Sequence, residues 1–218
     1  MSGISENFRR IRSEIPGYVE IVPASKTRTS GEIRELIDAG CTNIGENYVR
    51  EAQEKHRELG GDAFKLRWHL IGHLQRNKVK SALEVFDVIQ AVDSVKLAEE
   101  INKRAEKPVT VYVEVNSGGE ETKSGVSPDE IKNLISDISG MENLRVEGLM
   151  TIEPYSGNPE ESRVYFREMK RLFDETRNLK IPNAELKTLS MGMNSSYREA
   201  VEEGSNMVRI GTKIFGER

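Results

Sequence analysis

Three features of this sequence are suited to chemistry: a lysine closing an apolar run, two glycine-and-hydroxyl loops near the C-terminal end, and an arginine set between aliphatic residues. Lys26 follows the stretch Tyr18-Val19-Glu20-Ile21-Val22-Pro23-Ala24-Ser25. Lysine is seldom buried without a partner, so an amine at the exit of a core strand is either a surface cap or a reactive group. Far along the chain stand Ser190-Met191-Gly192-Met193 and Gly211-Thr212-Lys213. Glycines let backbone N–H groups approach an anion, and hydroxyls add donors. Either loop alone is a turn; together they describe a phosphate cradle. Arg209 lies in Met207-Val208-Arg209-Ile210. On a strand it would point away from the side shared by Val208 and Ile210. A buried guanidinium needs a partner. An anion or ring nitrogen on a ligand would serve, and so would a salt bridge to Glu20 or Glu114.

These residues sit at the ends of regularly spaced elements. Short β-branched runs alternate with amphipathic stretches. Strands are expected over Tyr18–Ala24, Asn43–Gly45, Lys65–Gly72, Val88–Val92, Val109–Val115, Leu144–Ile152, Glu185–Ser190 and Met207–Ile210. Helices are expected between them. One begins at Ser30 as N-cap and ends at Gly40. Others cover Val49–Leu59, Gln75–Val85 and Val95–Glu106, the last capped by Ser94. A further helix opens at Ser127-Pro128-Asp129-Glu130, another covers Glu160–Asn178, and a short one runs from Ser195 or Ser196 to Glu203. Ser5–Ile15 is an extra helix ahead of the first strand. Eight strand–helix units predict an α/β fold, a single (β/α)8 TIM barrel over residues 1–218. Such barrels commonly need about 250 residues, so this one is lean. The rival, an open doubly wound sheet, favours a glycine-rich turn after its first strand. Pro23-Ala24-Ser25-Lys26-Thr27 is not one.

A barrel collects its active site at the C-terminal ends of its strands and tends to hold phosphate at the loops after strands seven and eight. Lys26, Asn47, His69, Ser190 and Arg209–Thr212 occupy such positions. Composition narrows the classes. The 218 residues carry 32 basic and 36 acidic side chains, a net charge of −4 that argues against a general nucleic-acid binder. No apolar run approaches the roughly 20 residues of a membrane span, and the polar N-terminus lacks a secretory signal. The single cysteine, Cys41, fits a reducing compartment and a core-packing role. A cytoplasmic protein is expected. His69 and His73 are too far apart on a strand, about 13 Å, to share an ion, so no metal site is expected. Gly118–Gly125 lacks the glycine a P-loop places before its lysine and reads as a solvated, mobile loop. Arg50–Glu58 reads as a solvent-facing helix of alternating charge.

An amine, a phosphate cradle and an inward arginine together describe a pyridoxal 5′-phosphate pocket. The chain also resembles the pyridoxal phosphate homeostasis proteins. The resemblance runs through Ser25-Lys26-Thr27, Gly45-Glu46-Asn47-Tyr48, Trp68-His69-Leu70-Ile71-Gly72-His73-Leu74-Gln75, Asn116-Ser117-Gly118 with Lys123-Ser124-Gly125, Gly148-Leu149-Met150-Thr151, Leu189-Ser190-Met191-Gly192-Met193, and Val208-Arg209-Ile210-Gly211-Thr212 with Ile214-Phe215-Gly216. These segments span nearly the whole chain in order. The glycine-rich look after Asn116 departs from the apolar residue expected there. The family is similar in fold to the barrel domain of alanine racemase, the fold-type III group. The resemblance implies a Schiff base on Lys26 and Arg209 facing the pyridine nitrogen. It implies Ser190, Gly211 and Thr212 on the phosphate, with Met191 and Gly192 shaping that loop, and Asn47 and His69 beside the ring or the Schiff base.

A guanidinium stays protonated and donates to the pyridine nitrogen, leaving the ring a poor electron sink. The chain ends at Arg218, directly after the eighth strand, so a second domain bringing an acid–base tyrosine is not expected. The expectation is a cofactor carrier or buffer without turnover of its own. It would be a monomer serving apo-enzymes that need pyridoxal phosphate. The alternative is a racemase-like or decarboxylase-like enzyme acting on amino acids. A Schiff-base aldolase is disfavoured because such enzymes usually carry the lysine on a later strand.

Overall fold

A computed structural model of the chain describes residues 3–155 and 157–217. Eight strands form one parallel sheet: β1 (Glu20–Pro23), β2 (Asn43–Glu46), β3 (Arg67–Leu70), β4 (Val88–Val92), β5 (Val109–Val115), β6 (Leu144–Thr151), β7 (Ala184–Ser190) and β8 (Met207–Ile210). Their spatial order is β1-β8-β7-β6-β5-β4-β3-β2. The seam between β1 and β2 is held by a bridge of Ala24 to Gly45, with the Ser25 N–H donating to the Gly45 carbonyl at 2.9 Å. The result is a nearly closed TIM barrel. Its outer helices are α2 (Ser30–Asp38), α3 (Val49–Leu59), α4 (Val79–Leu83), α5 (Val95–Arg104), α6 (Ile131–Ile138), α7 (Arg163–Asn178) and α8 (Tyr197–Glu202). Two more stand outside this alternation: α1 (Ile4–Glu14) before β1, and a single turn, α9 (Thr212–Phe215), after β8. α1 buries Phe8 and Ile11 and packs on α2 and α9, where Asn7 Nδ2 donates to the Ile214 carbonyl at 3.0 Å.

Several boundaries differ from the sequence reading. Thr29, not Ser30, caps α2: its Oγ1 accepts the Glu32 N–H at 3.2 Å while Glu32 Oε2 accepts the Thr29 N–H at 2.7 Å. The Thr-x-x-Glu spacing satisfies two helix-end donors reciprocally, which a cap one residue later would not. β1 is shorter than Tyr18–Ala24, and Lys26 lies three residues past its end. β3 is shortened because residues 60–65 wind into a 3-10 turn. The expected helix over Gln75–Val85 is a 3-10 turn, Arg76–Lys78, followed by the short α4. The loop after β5 is not free in solvent. Asn116 Nδ2 donates to the Glu120 carbonyl at 2.8 Å, and the Asn116 N–H donates to the Val126 carbonyl at 2.9 Å.

The main core lies between strands and helices, and holds Val208 and Ile210. Inside the barrel a smaller apolar set, including Val22, Ile71, Tyr112, Met150 and Met207, packs beside polar side chains. Closure brings backbones close. A Cβ on Gly148 would lie 2.6 Å from the Thr188 carbonyl oxygen and 2.9 Å from the Tyr112 ring. The polar residues form one directed chain. Arg209 Nη1 donates to Ser190 Oγ at 2.6 Å, Ser190 Oγ donates to Gln90 Oε1 at 2.7 Å, and Gln90 Nε2 donates to His69 Nδ1 at 2.9 Å. His69 Nε2 completes it on Asn43 Oδ1 at 3.1 Å. This arrangement needs a neutral imidazole protonated on Nε2. Burial, aided by Arg67, pushes the His69 pKa down from 6.5 to about 3.

Two outcomes follow from this packing. Gly148→Ala should lose about 1–3 kcal/mol in denaturant unfolding, because the added methyl meets backbone that cannot yield. Between its unfolded value near 6.5 and about 3, His69 binds fewer protons folded than unfolded. Stability therefore rises with pH across that window and is lost as pH falls through it. Unfolding free energies measured from pH 7 to pH 4 should show a shallower slope in His69→Gln, by up to about 1.4 kcal/mol per pH unit; an unaltered slope would mean that His69 is not the neutral group.

Candidate cofactor site at the barrel mouth

At the C-terminal mouth, a cavity of about 160 Å³ is lined by Lys26, Asn47, Arg209, Gly211 and Thr212 together with Ala24, Arg28, Ile71, Ile152, Met193 and Asn194. Five of the residues anticipated from sequence thus meet around one space. Lys26 is exposed, and its Nζ engages no acceptor among the described residues. Arg209 enters from beneath, 4% exposed, with Val208 and Ile210 turned to the outer core. It makes no ion pair with Glu20 or Glu114. Among the described residues its guanidinium donates to Ser190 Oγ and, at 2.6 Å, to the Thr151 carbonyl. A guanidinium has five N–H donors, so donors remain for whatever occupies the cavity. Burial works against the charge of Arg209, while Glu153 and Glu114 favour it.

The loops after β7 and β8 are tied to each other. Asn194 Oδ1 accepts the Gly211 N–H at 2.9 Å and the Lys213 N–H at 3.2 Å. Of the residues lining the cavity on these loops, Asn194 and Thr212 have backbone N–H groups with no acceptor among the described residues. Unsatisfied N–H groups beside Lys26, Arg28 and Arg209 suit an anion. The donor set therefore fits pyridoxal phosphate: an amine for the aldehyde, a guanidinium for the ring nitrogen, and main-chain N–H groups with the Thr212 hydroxyl for the phosphate.

Four anticipated residues do not line this cavity. His69 and Ser190 are fully buried in the interior chain below Arg209, because their polar atoms are the acceptors and donors that a sealed arginine requires. Met191 is core, and its N–H donates to the Met207 carbonyl at 3.1 Å. Gly192 (φ +92°) lies under α8, where a Cβ would come 2.4 Å from that of Ala200. Its glycine serves helix packing rather than ligand approach. Gly72 serves Asn47 similarly, since a Cβ there would lie 2.6 Å from the Asn47 carbonyl oxygen.

Sequence reasoning missed Asn194 and Gln90, and reached Thr151 only through its place at a strand end in the segment Gly148-Leu149-Met150-Thr151. Asn194 carried a weak signal, following a glycine loop, whereas Gln90 reads as an ordinary strand residue. It also missed a second cavity, about 220 Å³, that shares Asn47, Ile71 and Ile152 and is lined further by His73, Glu114, Asn116 and Lys123. Glu114 is 6% exposed, and its buried Oε2 has no hydrogen-bond partner among the described residues. Burial and then Asp93 push its carboxyl up to about 7, against the pull of Arg209. Cys41 is buried with Sγ 3.1 Å from the Asn43 carbonyl, and burial pushes its thiol up to about 12. That suits packing, not nucleophilic attack.

The chain matches the family model for the alanine racemase N-terminal domain over residues 1–218. It is 45% identical over 202 residues to the pyridoxal phosphate homeostasis protein of Aquifex aeolicus, covering 91% of this chain and 87% of that one. The structure of PipY from Synechococcus elongatus solved with pyridoxal phosphate bound superposes with a TM-score of 0.89 at 33% identity, covering 98% of this chain and 100% of that one. An alanine racemase of Clostridium difficile shares the fold at 18% identity and a TM-score of 0.82, with 99% of this chain covering 57% of that one. The eight-stranded barrel, the mouth that gathers Lys26, Arg209 and Thr212, and these likenesses along the chain's whole length place the protein in the pyridoxal phosphate homeostasis protein family.

Proposed function

We propose that the chain binds pyridoxal 5′-phosphate at the barrel mouth and acts in its homeostasis as a carrier or buffer, with no substrate turnover of its own. The observation that carries this reading is the meeting of an unpaired Lys26 amine, a buried Arg209 with N–H donors left over, and unsatisfied backbone donors in one cavity. Bound, the cofactor would supply an electrophilic aldehyde on an aromatic ring. Lys26 would present its amine to that aldehyde. Arg209 would donate to the ring nitrogen and, because a guanidinium does not give up its proton, would keep that nitrogen an acceptor. A ring held this way withdraws electrons weakly, which favours storage over carbanion chemistry. Thr212 and the Asn194 N–H, on the loops that Asn194 ties at Gly211, would hold the phosphate, with Asn47 closing the opposite wall. Ser190, His69, Met191 and Gly192 support these groups from below. The partners on this reading are the cofactor and apo-enzymes that need it. The protein would act as a cytoplasmic monomer. Among the described residues no helix is long and apolar enough to cross a membrane.

A second reading, an enzyme acting on amino acids, is favoured by Glu114. A carboxyl with a pKa of about 7, its Oε2 without a hydrogen-bond partner among the described residues, in a cavity adjoining that of Lys26, has the properties of a general acid or base near neutrality.

Addition of pyridoxal phosphate should turn the purified protein yellow, with borohydride fixing the cofactor to the peptide containing Lys26. At a hundredfold excess over Kd the ligand should add about 2.7 kcal/mol to stability. Lys26→Ala should lose the fixed adduct and bind at least about tenfold more weakly, a difference of about 1.4 kcal/mol. A protein that stays colourless and unshifted in unfolding would refute the assignment. Amino acids added to the loaded protein should give no sustained product. Steady racemisation or decarboxylation that varies with pH near 7, and disappears in Lys26→Ala and Glu114→Gln, would establish the second reading instead.

A further inference from the structure

Lys26 is the second residue of a tight turn in which the Arg28 N–H donates to the Ser25 carbonyl at 2.9 Å. The third residue, Thr27, has φ +65°. That is the left-handed region, which a β-branched residue adopts only when its surroundings impose it. The surroundings here form a charged cluster outside the cofactor cavity. Lys55 of α3 is 5% exposed, and its Nζ donates to the Ser25 carbonyl at 2.5 Å, to Glu46 Oε1 at 2.6 Å and to Glu51 Oε1 at 2.7 Å. Glu51 Oε1 also accepts the Thr27 N–H, and Glu46 Oε1 also accepts the Ser25 hydroxyl. Both peptide groups that flank the Cα of Lys26 are therefore held by one ion cluster: the Ser25 carbonyl by Lys55, and the Thr27 N–H by Glu51.

A surface turn does not need such an arrangement. Glu46 is completely buried, and its Oε2 has no hydrogen-bond partner among the described residues. Burial pushes its carboxyl pKa up, opposed by Lys55 and Ser25. Burying the Glu46 carboxylate and the Lys55 ammonium costs desolvation that a hydrophobic cluster of the same volume would avoid. What the cluster provides instead is direction. Glu51 and Lys55 are one helical turn apart on α3, so they present an acceptor and a donor to the two sides of a single residue.

We infer that Lys55, Glu46 and Glu51 are positioning residues that aim the Lys26 amine into the mouth by clamping the peptide groups on either side of it. This rests on the proposed role of Lys26. The clamp constrains φ and ψ of Lys26 and hence the direction of its Cα–Cβ bond, leaving only side-chain rotamers to be fixed when a ligand binds. Preorganisation of this kind improves affinity by lowering the ordering cost of binding.

Glu51 carries the test, since its side chain is 23% exposed and its loss spares the core. Glu51→Ala removes the acceptor of the Thr27 N–H, whereas Glu51→Gln keeps an acceptor oxygen. Without any cofactor, amide hydrogen exchange at Thr27 should quicken at least tenfold in Glu51→Ala and stay close to the parent in Glu51→Gln. With pyridoxal phosphate, Glu51→Ala should bind about tenfold more weakly. Its induced circular dichroism per bound chromophore should fall by half or more, and Glu51→Gln should restore both. Lys55→Met, where it folds, should weaken binding and dichroism as Glu51→Ala does. If Glu51→Ala frees the Thr27 amide yet keeps the parent's affinity and dichroism, or if exchange at Thr27 does not change, the positioning role is overturned. A parent protein that fails to bind the cofactor would instead refute the functional reading, and the exchange result would still report on the clamp.

Discussion

A guanidinium sealed inside a parallel barrel must be met by acceptors that are sealed there too, and much of the interior of this protein is arranged around that demand. Arg209 is answered by Ser190 and the Thr151 carbonyl, Ser190 by Gln90, Gln90 by His69 and His69 by Asn43. Every donor in the series points the same way, so replacing one member strands its neighbour, and an unpartnered buried polar group is more costly than a hydrogen bond is favourable. The series crosses strands β2, β3, β4, β7 and β8. It therefore depends on a closed sheet, and it fixes the guanidinium at the floor of the mouth with donors to spare.

The walls of the mouth obey a different constraint, that of backbone approach. Gly72 admits the Asn47 carbonyl, Gly45 sits at the seam against Val22 and Ile71, and Gly192 lies under Ala200. These glycines are structural in the strict sense that a methyl group has no room. Asn194 then ties the loops after β7 and β8, so the backbone donors near Thr212 are carried by a braced surface rather than by two independent turns. The opposite wall is Lys26, whose turn is braced by the buried Lys55 cluster. Both sides of the cavity are thus preorganised by polar contacts, while the floor is preorganised by the interior chain.

The alternation of β-branched runs with amphipathic stretches made the barrel legible, and the strand ends named Lys26, Asn47, Arg209, Gly211 and Thr212 before their meeting was visible. The inward direction of Arg209 followed from the alternation of a strand between Val208 and Ile210. Other residues were placed in the mouth by strand-end position, loop composition and family resemblance, and do not line the cavity. His69 and Ser190 occupy the same strands as cavity residues or their neighbours, but period-two alternation gives only the side of the strand, not the depth along the barrel axis. Gln90, Asn194 and Lys55 were not legible, because their importance comes from partners 100, 17 and 30 positions away. Nothing in a residue's local sequence records such a partner.

By itself, the order of residues determined the parallel α/β architecture, the strand ends at which chemistry would collect and the amine, guanidinium and glycine-hydroxyl loops offered there. It could do so because periodicity and side-chain type are local properties. Only the tertiary structure decided which of those groups share a cavity, which are buried beneath it as support, and that Glu46 and Lys55 brace the turn of Lys26. Those outcomes depend on sheet closure, which brings β1 beside both β8 and β2 and sets the depth of each side chain along the barrel axis.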